Sequence, residues 1–176
     1  KAEYTTEQAG KANFDDVVGS FTTSGFSGPS GTNIRRVAEM VNGAIVLPGE
    51  TFSLNGHTGP RGTEQGFVES GIIIDGHAGK AVGGGISQFA TTLYNASYFA
   101  GMEDVEHTPH SYYISSYPAG REATVFEGAI DLKFKNPFDT PVRITTHVSG
   151  NEVKVELHGV KQVDVESILG ERTNPT

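Results

Sequence analysis

AVGGGISQFATTLYNASYFAG, residues 81–101, carries the strongest structural signal in this sequence, because three consecutive glycines run into about four turns of helix-like sequence. Its apolar residues recur at helical spacing and predict a largely buried helix over residues 87–100. The apolar stripe consists of Phe89, Leu93, Ala96 and Ala100. A different face of the same helix carries Ser87, Thr91, Asn95 and Tyr98. The side of the helix that begins with Ser87 is therefore available for something other than core packing.

The triple glycine before Ser87 has two interpretations. A tightly folded backbone presents the serine, or something bound beside it, at the helix N-terminus. Alternatively, Ser87 merely caps the helix. Known motifs do not fit: Phe89 stands where a hydrolase elbow needs its second glycine, and Gln88 stands where a dinucleotide fingerprint needs one. A phosphate loop also fails, since no lysine followed by Ser or Thr comes after the last glycine.

Composition limits the classes of function that are open to the chain. With 176 residues, 36% of them hydrophobic, it is long enough for one domain with a real core. A formal net charge of -8 argues against nucleic acid and against an anionic membrane surface as partners. The absence of cysteine excludes disulfides and thiolate metal sites, and no apolar run reaches the ~20 residues of a membrane span. We therefore expect no direct membrane insertion by this segment.

The order of predicted elements indicates an α+β fold, in which the buried helix follows the Gly-rich loop and packs on a mainly antiparallel sheet. Further predicted elements are a strand at 17–23, a helix at 32–43 and a strand at 67–75. Past Pro109, strands are predicted at 111–117, 122–126, 130–136, 141–150 and 151–159, the last two joined as a hairpin. Residues 160–176 are expected to add one edge strand and then fray.

Domain organisation is predicted as three segments. Residues 1–17 form an N-terminal arm, 18–159 the main domain, and 160–176 a C-terminal strand or tail that leads to a further module. The chain begins with Lys1 and not methionine, so we expect it to be a processed piece of a longer protein.

A candidate catalytic set follows from the residues after the triple glycine. His110 lies 23 residues beyond Ser87, and Glu122 lies 12 residues further on. A helix N-terminus favours an ionised nucleophile, an imidazole can take its proton, and a carboxylate can hold the ring in one tautomer. This order is that of papain-like and transglutaminase-like thiol enzymes, which suggests a core of that type. The simpler alternatives are a structural role for His110 and a solvent-facing Glu122.

A second group of residues is predicted to contact a ligand. The planar guanidinium of Arg61 suits a carboxylate, although it could equally brace its loop against Glu64 or Glu69. Gln88 is expected near an oxyanion. The complete predicted ligand-binding set is Asn55, Arg61, Gly84, Gly85, Gln88, Thr91 and Asn95. No cofactor or metal is expected, since the pair His107 and His110 lacks the surrounding H-E-x-x-H helix of a zinc site.

The sequence also resembles the VanW-like proteins over roughly residues 18–145. The resemblance rests on VGSFTT at 18–23, NI at 33–34, NG at 42–43, LPGETFSLN at 47–55, GPR at 59–61, the block GGGISQ-x-x-TTLYNA at 83–96, PHS at 109–111, YPAGREATV at 117–125 and DLKFKN at 131–136. It implies a secreted or membrane-anchored bacterial envelope protein, with peptidoglycan or a cell-wall peptide as partner. Many family members carry cysteine at the position of Ser87, and aspartate is common at the position of Glu122.

Two functions from different classes follow. The first is an extracytoplasmic module that binds a peptidoglycan-like or peptide ligand in a groove around Ser87 and His110. The alternative is an acyl-transfer or amide-hydrolysing enzyme that uses Ser87 as nucleophile, His110 as base and Glu122 as orienting group. Binding is favoured, because an alcohol is a much weaker nucleophile than the thiol it replaces. Both functions require Ser87 and His110 to share one cleft.

Overall fold

A computed structural model describes residues 5–26, 28–74 and 77–171 of the chain. It shows an α+β fold with mainly antiparallel sheets, as the sequence predicts. The helices are α1 (Thr6–Gly10), α2 (Gly28–Val41), α3 (Leu54–Thr58) and α4 (Ile86–Phe99), and a 3₁₀ turn spans Thr63–Gln65. The strands are β1 (Asp16–Ser24), β2 (Ile45–Val46), β3 (Thr51–Ser53), β4 (Glu69–Ile74), β5 (His77–Val82), β6 (Glu103–Glu106), β7 (Lys133–Lys135), β8 (Val142–Ser149) and β9 (Glu152–Gly159).

The strands pair in three antiparallel groups. The main sheet has the order β1-β9-β8-β2, a smaller sheet has the order β3-β7-β6, and β4 pairs with β5 as a hairpin. The predicted hairpin of β8 and β9 is confirmed, with Ser149 opposite Glu152 across its turn. Along β9, Val153, Val155 and Leu157 are fully buried, and the residues between them are more exposed, which is the two-residue period of a half-buried strand.

Helix α4 forms the centre of the core, which confirms the predicted buried helix. Phe89, Leu93 and Ala96 are all 0% exposed, and the helix packs against β1 and β9. Close approach to β1 depends on Gly19, since a Cβ there would lie 2.1 Å from the Ala96 carbonyl oxygen. The sheet thus fixes the position of α4, and with it the direction in which Ser87 enters the molecule.

Several predicted elements are wrong. Residues 111–117 form bends and turns, and residues 122–126 contribute only an isolated bridge between Phe126 and Ile130. Residues 160–171 form no strand, and 172–176 lie outside the described part of the chain. Strand propensity alone does not supply a pairing partner, and segment 122–126 docks on α4 instead of entering a ladder. Strands β5 and β6 were not predicted, and α2 begins four residues before its predicted start at residue 32.

Within the described residues, no helix combines the length and the apolar character that crossing a membrane requires.

Candidate functional site

The triple glycine forms a turn whose shape only glycine permits. Gly85 has a φ of 91°, in the left-handed region, and a Cβ on Gly84 would lie 2.4 Å from the carbonyl oxygen of Ser70 on β4. Asn33 of α2 holds the turn in place, since its Nδ2 donates 2.8 Å hydrogen bonds to the carbonyl oxygens of Val68 and Gly84. The glycines therefore create a fixed backbone corner between β5 and α4, and not a flexible hinge.

Ser87 is the second residue of α4 and does not cap it. The N-cap position is occupied by Gly85, which has no side chain to form a cap. The Oγ of Ser87 instead accepts a 3.2 Å hydrogen bond from the backbone N–H of Val125. The capping interpretation is therefore wrong. The hydroxyl lies in the first turn of the helix, where the unpaired N–H groups and the positive end of the dipole favour negative charge.

The polar face of α4 docks the extended segment 121–125. Thr91 Oγ1 accepts the Ala123 N–H at 2.9 Å, and Asn95 Nδ2 donates to the Arg121 carbonyl at 2.7 Å. The hydrogen bond from the Val125 N–H to Ser87 completes a regular series. Successive contact residues are four positions apart on the helix and two positions apart on the segment. The spacing matches, since four helical residues rise about 6 Å and two extended residues about 6.6 Å. One face of α4 thus positions the segment that carries Glu122.

Glu122 and His110 form a nearly buried pair. The Nδ1 of His110 lies 3.2 Å from Glu122 Oε2, and the two side chains are 9% and 11% exposed. The His107 ring contacts the Glu122 carbonyl oxygen from the other side, so the acid is fixed at its backbone as well. Because the Glu122 carboxylate accepts the Nδ1 proton, the neutral His110 ring presents Nε2 as its unprotonated nitrogen. This is the tautomer that a general base needs, and Glu122 does not face solvent.

Burial determines the proton equilibria of this pair. Burial lowers the pKa of His110, although the charge of Glu122 and its hydrogen bond oppose the shift. Tyr117, whose ring is stacked 6.2 Å from that of His110, has its pKa raised to about 12 by burial and by Glu122. At neutral pH the site therefore holds a neutral imidazole beside a protonated phenol.

One groove of about 790 Å³ contains both Ser87 and His110, as the sequence analysis required. Its walls include Phe26, Ile72, Ile114, Tyr117, Val125 and Ile130. A smaller cavity of about 280 Å³ also reaches Ser87 and is lined by the glycine turn and Glu127. In the described part of the chain, no hydrogen bond joins Ser87 Oγ to the His110 ring. The two groups share a cleft without a hydrogen bond between them.

Arg61 is buried and also lines the small cavity, and its partner Asn55 is half-buried. Arg61 is 4% exposed, and its Nη1 donates to Asn55 Oδ1 at 2.7 Å and to Thr58 Oγ1 at 3.1 Å. Asn55 Nδ2 in turn donates to the Ile130 carbonyl at 2.9 Å. Burial lowers the pKa of Arg61 against the opposing charges of Glu127 and Asp131. Arg61 therefore braces its loop, with Asn55 and Thr58 as hydrogen-bond partners in place of the predicted Glu64 or Glu69.

Other predicted ligand contacts also need correction. Thr91 and Asn95 are fully buried, so they position segment 121–125 and do not reach a ligand. Gln88 lines the groove, but its Nε2 donates to Thr23 Oγ1 and to the Ser24 carbonyl, each at 3.1 Å, and not toward an oxyanion. Gly84 lines the small cavity, and Gly85 lines both.

Three further contributors to this site carry no recognisable signal in the sequence. Asn33 is fully buried and ties the glycine turn to Val68, just before β4. Tyr117 lines the groove beside His110, and the Val125 N–H binds Ser87. The NI and YPAGREATV motifs contain or adjoin these positions, but nothing in their local pattern indicates the contacts. Among described residues, no cluster of three or more His, Cys, Asp or Glu side chains has the arrangement of a metal site.

The fold and the site together define a class: an α+β domain in which a helix-borne hydroxyl and a glutamate-paired histidine line one groove. The chain belongs to the VanW-like family, since the family described as "VanW like protein" matches residues 30–158. This range contains Ser87, His110 and Glu122.

Two curated proteins are similar to the chain. It is 35% identical over 126 residues to the uncharacterized protein YoaR of Bacillus subtilis (strain 168), covering 72% of this chain and 42% of that protein. It is 23% identical over 137 residues to the vancomycin B-type resistance protein VanW of Enterococcus faecalis (strain ATCC 700802 / V583), covering 74% and 49%. The chain thus spans about half the length of these relatives or less. No solved structure matches it.

Proposed function

We propose that this domain binds a peptide, of the kind found in bacterial cell-wall stems, in the groove that contains Ser87 and His110. The observation that carries the proposal is the groove itself, which combines apolar walls with a few polar groups at the N-terminus of α4. Its volume of about 790 Å³ lies within the range of specific ligand sites, roughly 300–1,000 Å³.

The envelope setting and the partner rest on family membership. One similar protein is named for vancomycin B-type resistance. The resemblance to the VanW-like proteins implies a secreted or anchored envelope protein. An extracytoplasmic location and a peptidoglycan-like ligand follow for this domain as parts of the same proposal. The activity and partners of the whole protein are likewise proposed, since the chain spans only part of its relatives.

A second function, acyl transfer or amide hydrolysis, is favoured by the His110–Glu122 pair. In that reaction, His110 Nε2 takes the Ser87 proton as Oγ bonds to the substrate carbonyl carbon. The imidazolium then gives the proton to the leaving amine as the C–N bond breaks, and water or another amine releases the acyl group from Ser87. In this alternative, the backbone N–H groups at the start of α4 stabilise the oxyanion.

Binding is preferred over catalysis for two reasons. The nucleophile is a hydroxyl, and its Oγ is hydrogen-bonded to Val125 and not to His110. A helix-borne nucleophile followed by histidine and acid is also the order of transglutaminase-like and papain-like enzymes, so we extend the proposal to an ancestral core of that type. In this interpretation, the chain keeps the helix position and the His–Glu pair of a thiol enzyme, but carries a serine in place of the cysteine.

The test compares the native protein with Ser87→Ala and Ser87→Cys. Binding of a muramyl peptide and its turnover are measured by calorimetry and mass spectrometry. Equal binding by native and Ser87→Ala, with no turnover, is the expected result. Turnover that is abolished in Ser87→Ala would establish the enzyme instead, and no binding by the native protein would refute the proposed ligand class.

The state of the ancestral site is tested by thiol labelling. The thiol introduced by Ser87→Cys should react with iodoacetamide at least about tenfold faster than the same thiol in the double variant Ser87→Cys/His110→Gln, because a nearby imidazole and the helix N-terminus favour the thiolate. Thr22→Cys, on an exposed part of β1, is the matched control and should be indifferent to His110→Gln. Equal labelling rates of the Ser87→Cys thiol with and without His110 would show that the imidazole does not activate the group at position 87.

A further inference from the structure

The charges around Ser87 are unevenly distributed between its two cavities. Of the described residues that line the large groove, none is Lys, Arg, Asp or Glu. Burying a charged group without a partner costs several kcal/mol, so this groove favours an uncharged segment. A free carboxylate finds no cation there, since Arg61 donates to Asn55 and Thr58 instead.

The small cavity, by contrast, is lined by two charged residues, Arg61 and Glu127. The Nη1 of Arg61 donates to Asn55 and Thr58. The Arg61 backbone N–H binds Glu127 Oε2 at 2.7 Å, which fixes the carboxylate at the cavity. Within the part of the chain that the structure describes, Glu127 Oε1 has no hydrogen-bond or ion-pair partner. Glu127 is exposed and Arg61 is only 4% exposed, so the carboxylate is the more accessible of the two charges at this cavity.

The two cavities meet at Ser87. Both are lined by Ile72, Gly85, Ser87, Val125 and Phe126. A ligand that passes Ser87 therefore enters about 790 Å³ of uncharged space on one side and about 280 Å³ beside a carboxylate on the other. The larger volume accommodates several residues of a peptide, and the smaller one a single side chain or short group.

We propose that the ligand is a peptide that crosses Ser87 with an uncharged apolar segment in the groove and an amine-bearing group in the small cavity. The inference rests on the proposed function and specifies its ligand. The internal amide of such a peptide, and not a C-terminal carboxylate, lies beside Ser87. The site thus selects a peptide by the position of its charge relative to that amide.

The experiment uses short peptides blocked at both ends, with apolar residues in one half and a lysine in the other. Binding to the native domain is measured by fluorescence anisotropy at low salt, for both sequence directions. Replacing lysine by norleucine, which keeps the aliphatic chain and removes the charge, should weaken binding at least about threefold, as expected for a partly exposed ion pair. A glutamate in the apolar half, or an unblocked carboxylate there, should weaken it more strongly.

Glu127→Gln identifies the carboxylate responsible. This variant should bind the lysine and norleucine peptides equally, and Glu64→Gln, an exposed carboxylate outside both cavities, should behave like the native protein. Equal affinity of the native domain for lysine and norleucine peptides, or discrimination that survives in Glu127→Gln, would overturn the inference and leave the peptide-binding function standing. Failure of every peptide to bind would instead refute the proposed function.

Discussion

The hydrogen bonds of Thr91 offer a sharp test of how α4 positions the acid of the site. Thr91 is fully buried, and its hydroxyl accepts the Ala123 N–H at 2.9 Å and donates to the Ala123 carbonyl at 3.3 Å. Thr91→Val keeps the shape of the side chain and removes both bonds. The Ala123 N–H and C=O then lose their partner in a place without solvent.

The expected cost follows from these contacts. Leaving one buried polar group unsatisfied costs about 1–3 kcal/mol, and the longer second bond contributes less, so Thr91→Val should lower the free energy of unfolding by about 2–3 kcal/mol. For a chain of this size that corresponds to a fall in Tm of roughly 4–12 °C. Thr91→Ser is the matched control, because it keeps the hydroxyl and loses only one methyl group, at a cost of about 1 kcal/mol.

Urea unfolding measures the stabilities, and amide hydrogen exchange of Ala123 measures the local effect. Relative to amides of β9, the exchange protection of the Ala123 amide should fall at least about tenfold in Thr91→Val and should change little in Thr91→Ser. If the two variants have equal stability and equal protection of Ala123, the helix does not hold this segment through Thr91.

Two further predictions concern the glycine turn and the pH dependence of stability. Gly84→Ala should destabilise the domain by about 3 kcal/mol in urea unfolding, because its Cβ would meet the Ser70 backbone, whereas Gly71→Ala, with open space at its Cβ, should cost less than about 1 kcal/mol. Because burial lowers the pKa of His110, the unfolded state takes up its proton first as pH falls below about 6.5, and stability should fall there by up to about 1.4 kcal/mol per pH unit. His110→Gln should reduce this fall in stability relative to the native protein. His77→Gln, at an exposed site, is the control and should behave like the native protein. Parallel pH profiles for all three proteins would show that His110 does not cause the fall.

The patterns that the sequence resolved are local ones. Helix α4 follows from apolar residues three and four apart, and the β8–β9 hairpin from alternation around Gly150. Residues 111–117 show the limit of this reasoning, since their tyrosines and isoleucine have strand propensity, yet the segment forms bends and turns beside the groove. Strands need partners, and sequence propensity does not name them.

The amino-acid sequence alone determined the α+β class, the buried helix and the glycine-rich turn before it. It also indicated the candidate catalytic residues Ser87, His110 and Glu122. The helix and the turn depend on neighbours within a few positions, and the three candidates on residue type and order along the chain, so both can be read without knowing which segments pack together. The tertiary structure determined that Thr91 and Asn95 hold the acid-bearing segment and that Arg61 faces its own loop. It also determined the unequal cavities beside Ser87. The helix-to-segment contacts join residues 26 to 38 positions apart, and such pairings are selected by packing of the whole core and not by local sequence.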